Sequence, residues 1–462
     1  MTALIRSSRQ GGFTLIELMV AMVLGLLVAA GIVTVFASTS SSNKAQAQLA
    51  TLQEEGRFAM TRIKMDVGSI NSQYGTNTGG NASQSGAGLP FMDGLRSPSV
   101  YVKGSTLTAA LSDVTTPWGG VYPAEPVTGP YSMPSFLMLR GYDCTPTACT
   151  PADPNTAIST IPAMGKAVGD RVVGAAVLTM RYLNPAAGWT IEPPGSSVTG
   201  STVTTNTDGN TLKQINLVPI AAYNEPPVSN IKSGDLIMLA NYSNAQIFAV
   251  TGQGSATLTP DTSNFTIPTA MVGTSAVKVF DLNRDFQTVT YYLKVVDVGN
   301  GHTTGALVRR VNGGTTDGKA HGGTEDELVR GIERMDFRYG VVNSAGETEF
   351  LTANEVDTAT DSSGNAIACP PGPANPVVTG VIEGCLWRAV QSVEVDLLMN
   401  GQVPLYTLSP NEEQYSYSFD TTTTALAAPA AHAVKPSSDQ GFPDQLLRRE
   451  FTALIAVRNF NP

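Results

Sequence analysis

Apolar residues follow three regimes along this chain. Residues 18–42 carry no charged side chain. At 1.5 Å per residue such a run reaches across the ~30 Å hydrocarbon layer of a bilayer, which predicts a membrane helix. Beyond it the apolar positions narrow to one stripe: Ala45, Leu49, Leu52, Gly56, Ala59, Ile63, Val67 and Ile70 recur at steps of three and four, with Lys44, Glu54, Glu55, Arg57, Arg62 and Lys64 between them. That is the amphipathic period. Because it continues the apolar run without a break, the two predict one helix over residues 13–70, about 85 Å long. Its first half, 13–42, belongs in the membrane, and its second half, 43–70, packs on a globular domain.

From residue 71 onward the helical period is lost. A Gly/Ser/Asn-rich loop over 71–99 and a Pro/Gly-rich stretch over 113–134 give way to short apolar segments. Strands are expected at 135–140, 171–183, 234–250, 288–296, 307–311, 328–342, 390–399 and 449–457. Val289, Tyr291, Leu293 and Val295 alternate with Thr290, Tyr292, Lys294 and Val296, a period of two that predicts antiparallel sheet with one buried face. Gly/Thr/Pro-rich segments at 184–211, 254–276, 347–376 and 421–439 read as surface insertions. The fold class expected is α+β, a long N-terminal helix on an antiparallel β-rich region, 71–462, of one or two subdomains.

Composition adds a compartment. Only 14% of residues are charged, while Gly (45) and Pro (29) are abundant, the balance of an exported, loop-rich β protein. The formal net charge of −10 disfavours phosphate backbones, so nucleic acid is not an expected partner. Four cysteines fall in two local pairs, Cys144 with Cys149 and Cys369 with Cys385, with spacings unlike zinc knuckles. An even count in loop-like surroundings predicts two disulfides formed outside the cytoplasm.

Catalytic signatures are missing from the sequence. His302, His321 and His432 lie in Gly-, Thr- or Ala-rich loops, and there is no GxSxG elbow, HExxH pair or Walker loop. Asp281-Leu282-Asn283-Arg284-Asp285 begins like a calcium loop, yet Phe286 stands where the turn needs Gly and Tyr292 where a bidentate Glu belongs. It reads as a plain turn before a strand. Trp118, Tyr122 and Tyr131 read as cover for a sheet edge or the core. No catalytic residue, metal ligand or cofactor is expected.

The start of the chain is the most specific signal. A polar leader, residues 1–12, has Arg6 and Arg9 as its only charges and ends in two glycines. Basic residues on that flank hold it in the cytoplasm, and a secretory signal would be cut after the apolar core, not before it. Glu17 sits at the edge of the apolar run, where an unpaired carboxylate is costly and a specific partner is expected. GFTLIELM, with Gly12 at the junction, Phe13 after it and Glu17 five residues in, resembles the class III signal of type IV prepilins. The resemblance implies cleavage after Gly12 by a prepilin peptidase and N-methylation of Phe13. It also implies an ion pair between Glu17 and the free amino terminus of a neighbouring subunit. Opposite charges in a low-dielectric bundle are tolerated together and costly apart.

Four later blocks are similar to PilW-type minor pilins: LQEEGRFAM (52–60), SGDLIMLANYSNAQIFAVT (233–251), ELVRGIERMDFRYGV (327–341) and LRREFTALIAVRN (447–459). The resemblance implies a non-enzymatic subunit, anchored in the inner membrane by a single pass with its C-terminal domain in the periplasm, and later carried on a pilus at the cell surface. Implied partners are other minor pilins, the major pilin and a PilY-type tip adhesin. With no ATP-binding loop in the chain, a separate motor drives assembly. Two other readings fit the same helix: a J-type pseudopilin of a type II secretion system, and an adhesin or DNA-uptake module on a pilin stem, for which Arg309-Arg310 or Arg448-Arg449 offers a local basic strip.

Overall fold

The computed structural model describes residues 14–70, 98–111, 124–155, 161–368 and 384–457. Within these, 185, 229–230, 242–243, 253–255, 273–275, 300, 313–322, 343–345, 406–414, 418, 420–432, 435–439 and 443–444 are not described.

The expected helix is present as one element, Leu15–Val67, 53 residues and therefore ~80 Å long. It ends three residues before Ile70. Gly68, a poor helix former, takes the C-cap and donates to Lys64 O, while Ser69 and Ile70 close tighter turns onto Asp66 and Val67. Ile70 still reaches the core.

The remainder is β-rich, so the architecture is α+β. Among the described residues, strands form a nine-stranded, an eight-stranded and a four-stranded sheet, with a two-stranded ribbon beside them. The first sheet runs through Trp189–Thr190, Lys278–Asp281, Leu236–Ala240, Ala245–Thr251, Thr257–Pro260, Leu212–Asn216 and Thr202–Thr205. The second runs Thr324–Arg330, His302–Asn312, Phe286–Gly299, Val177–Leu183, Leu139–Cys144 and Cys149–Thr150. The third runs Thr348–Leu351, Ile332–Val342, Val390–Asn400 and Arg448–Ala456. Most neighbouring strands are antiparallel, with parallel pairing where Ser99–Val100 meets Ala245–Thr251 and Met164–Gly165 meets Arg171–Val172.

One core cluster joins the helix stripe (Leu52, Ala59, Ile63, Val67) to both faces it touches, including Met180, Tyr291 and Leu307 of the second sheet and Phe337, Val395 and Ile455 of the third. A second cluster, with Trp189, Ile215, Ile237, Phe248 and Leu258, lies on the opposite side of the first sheet. Leu236 and Met238 face the first cluster, and Ile237 and Leu239 the second, so this strand is buried on both faces.

Several sequence expectations change in the fold. Strand Phe286–Gly299 was expected to bury one face. Tyr291 indeed faces the helix, but Tyr292 is buried too, against Tyr142, Val177 and Val308. A central strand covered on both sides cannot be told from a half-exposed one when its polar positions are Thr and Tyr, whose hydroxyls are satisfied inside: Thr290 and Thr179 hydrogen-bond across the ladder at 3.0 Å. The segment 135–140 opens as a 3₁₀ turn, Ser135–Leu137, before the strand Leu139–Cys144. The segment 328–342 splits into Thr324–Arg330 and Ile332–Val342 at Gly331, whose φ of 81° favours glycine and turns the chain from the second sheet into the third.

The supposed insertions are also partly woven in. Residues 184–211 and 254–276 supply strands Thr202–Thr205 and Thr257–Pro260, and residues 347–376 supply Thr348–Leu351 and the helix Ala353–Thr358. Their Thr-rich sequences hide strand propensity behind a polar composition. Most of 421–439 lies outside the described residues.

Candidate functional site

The helix has two environments. From Leu15 to Thr39 every residue is exposed, including Leu24, Leu27, Ile32, Val35 and Phe36. This segment is long and apolar enough to cross a membrane, and none of its most apolar stretch is buried in the protein. A water-exposed apolar rod of that size has no stable state in solution, so lipid or other helices must cover it.

Below the rod the contacts begin. Gln48 Nε2 donates to Val403 O at 3.0 Å, and Gln402 Nε2 donates to Glu55 Oε2 at 3.2 Å. At Gly56 the helix backbone comes so close to strand Arg448–Ala456 that a Cβ would lie 2.6 Å from the Phe451 ring. Glycine permits this approach without displacing the Phe451 ring, and the polar face of the helix stays in water.

The last turn is fastened by charge. Asp66 is buried among apolar stripe residues, and Arg309 Nε donates to its Oδ2 at 2.6 Å. Tyr291 Oη donates to the same oxygen at 2.6 Å, and Tyr182 Oη donates to Oδ1 at 3.0 Å. Burial, reinforced by the Asp66 charge, pushes the Tyr182 hydroxyl up to about 12. Burial works against the Arg309 charge, but the Asp66 hydrogen bond and charge overcome it and hold the guanidinium above its ordinary range. These partners come from three adjacent strands of the second sheet, so one carboxylate ties the helix to the middle of that sheet. Asp66 was missed in the sequence reading; the available signal was an acid placed inside the apolar face between Ile63 and Val67.

At the other end, Glu17 forms a capping box with Thr14. Its Oε2 accepts from the Thr14 N–H at 3.0 Å and hydroxyl at 2.9 Å, while the Glu17 N–H donates back to Thr14 Oγ1 at 3.3 Å. The carboxylate is exposed and aimed at the start of the helix. Gly12 and Phe13 lie outside the described residues.

Cys144 and Cys149 are joined by a disulfide across a tight hairpin. Cys369 lies outside the described residues, as does the side chain of Cys385, so that pair is not described. The proposed basic strips are internally neutralised: Arg309 by Asp66, Arg310 by Glu325 at 3.1 Å, and Arg448 by a bidentate pair with Glu333 at 2.8 and 3.0 Å. Arg449 is exposed, its guanidinium over the Phe451 ring at 6.0 Å.

The calcium-like fragment is a one-turn helix, Leu282–Asp285, capped by Asp281. Asp285 pairs with Arg284 at 2.6 Å, and Asn283 Oδ1 accepts the Leu236 N–H. Those oxygens are therefore taken up by protein donors. Among the described residues no cluster of three His, Cys, Asp or Glu is arranged to hold a metal ion. Tyr131 is buried edge-on to Phe265, and Trp118, Tyr122, His321 and His432 lie outside the described residues. His302 opens the strand His302–Asn312.

Comparison with known families gives two matches. Residues 7–33 match the prokaryotic N-terminal methylation motif, and residues 290–459 match the type IV pilus-assembly protein W family. The second match covers Arg309, Tyr291 and Phe451, while Tyr182 and the whole first sheet lie outside it. No curated protein and no solved structure matches the chain.

Proposed function

We propose that this chain, which matches the prokaryotic N-terminal methylation motif over residues 7–33 and the type IV pilus-assembly protein W family over residues 290–459, is a type IV pilus-related pilin and, more narrowly, a minor pilin that primes or caps the filament. The observation carrying this reading is the helix itself. One uninterrupted element joins an uncovered apolar rod to a seat built from two sheets, so force on the rod is transmitted to the globular body without a hinge.

In the proposed mechanism the peptidase cuts after Gly12 and methylates Phe13. The rod then waits in the inner membrane with the β-rich body in the periplasm. Neighbouring pilin helices replace lipid around it as the subunit is lifted out. Glu17, already held at the helix start by Thr14, exchanges its local donors for the amino terminus of a neighbour and sets the axial register. Partners under this reading are other minor pilins, the major pilin and a PilY-type tip adhesin.

The test is co-purification of the tagged chain from sheared filaments, with mass spectrometry of what accompanies it. Minor pilins and a tip adhesin are expected. Recovery of secretion pseudopilins in the absence of sheared pili would overturn the pilus assignment in favour of the type II secretion reading.

A further inference from the structure

The Cys144–Cys149 bridge has an unusual neighbour. Arg171 is fully buried, and its Nη1 points at both sulfurs, 3.1 Å from Cys144 Sγ and 3.4 Å from Cys149 Sγ. The side chain is held from several sides. Its Nε donates to Pro162 O at 3.2 Å and its Nη2 to Asp153 Oδ1 at 2.9 Å, while its backbone pairs with Lys294 and Met164 in the second sheet. A disulfide sulfur is a weak acceptor, so in the oxidised protein this buried donor is poorly served. A thiolate at the same place accepts a charge-assisted hydrogen bond. The arrangement therefore favours the reduced, ionised form over the disulfide.

Access is available from one side. Residues 145–148 of the connecting turn are exposed, and both cysteines are half-buried. We propose that Cys144–Cys149 is a thiol-exchange site, opened by an external dithiol, with Arg171 as the positioning residue that stabilises the leaving thiolate. The dithiol's thiolate attacks Cys149 Sγ and forms a mixed disulfide. The Cys144–Cys149 bond breaks, and its electron pair leaves on Cys144 Sγ, the sulfur nearer Nη1. The second thiol of the reagent then attacks the mixed disulfide and releases Cys149, so the reagent ends as its own disulfide and the loop carries both electrons. A leaving thiol of lower pKa departs faster.

The titratable neighbours limit the effect without cancelling it. Asp153 shares the Arg171 charge but is half-exposed. Asp170 turns its carboxylate onto the Ala167 N–H, Asp143 gives an oxygen to the Ala353 N–H, and Lys294 is paired with Glu325.

The test uses the full chain in detergent, reduced with dithiothreitol and alkylated with iodoacetamide across a pH series, with the 144–149 peptide read by mass spectrometry. The expected alkylation midpoint lies at least one pH unit below the ordinary thiol value of ~8.5. Arg171→Met should return it to that value, a tenfold loss of thiolate near neutrality, and Arg171→Lys should restore part of the shift. A wild-type midpoint at or above ~8.5, or no movement in Arg171→Met, would overturn the proposal. If Arg171→Met does not fold, the wild-type curve decides alone.

Discussion

Asp66 and Arg309 are separated by most of the β-rich region in sequence, yet each is the main reason the other is tolerated inside the protein. Removing one member of a buried pair leaves a charge without its partner, at a cost of about 3–5 kcal/mol. Arg309→Met is therefore expected to lower denaturant-derived stability by that order, with Asp66→Asn/Arg309→Met losing less than the two single changes added together. Additive losses would mean that the pair is not coupled. A different pattern is expected for Asp396, which is buried and faces Asp336 across the ladder of the third sheet. Burial pushes its carboxyl up to about 7, partly opposed by the hydrogen bond that Thr452 donates at 2.6 Å. An acid whose folded pKa exceeds its unfolded value binds a proton preferentially in the native state, so its contribution turns against folding as pH rises from about 4 to about 7. Asp396→Asn should thus gain stability relative to wild type at pH 8 and lose that advantage by pH 4. Equal differences at both pH values would show that Asp396 does not titrate there.

The helix carries the functional argument at the next scale. Its two halves obey one backbone geometry, but the first presents apolar side chains on every side and the second buries only one apolar stripe, with Phe58 and Met65 left exposed beside it. The capping box makes Glu17 separable into a local and an intersubunit role. Gln also caps at this position but carries no charge. Glu17→Gln should therefore retain helix content and membrane insertion, measured by circular dichroism and carbonate extraction, while losing incorporation into sheared filaments. Normal incorporation would remove the intersubunit ion pair and leave Glu17 as a helix cap.

For the whole molecule, charge is the property that matters most. The formal net charge is −10, and the guanidinium groups of Arg309, Arg310 and Arg448 are taken up by internal carboxylates. Binding to DNA depends on free cations releasing counterions from phosphates. The full chain in detergent is accordingly expected to give no mobility shift with duplex DNA even at ~50 mM salt, where such contacts are strongest. A shift that weakens steeply with added salt would bring back the DNA-uptake reading.

Local pattern alone determined the helix, its change from an all-round apolar surface to a stripe at Ala45, and the exposed apolar rod, because these depend on spacing within a few turns. It also located the strands Phe286–Gly299, Val390–Asn400 and Arg448–Ala456 of the PilW-like region, where apolar residues outnumber polar ones, but not the break at Gly331. Only the tertiary structure decided what touches what. It placed Asp66 against Arg309, Gly56 under Phe451 and Arg171 on the disulfide, and it recruited Thr202–Thr205 and Thr257–Pro260 from segments that look like surface loops. The physical reason is common to all of these cases. A polar side chain or a threonine-rich strand becomes stable inside a protein only when a partner distant in sequence satisfies its hydrogen bonds, and no local period records that partner.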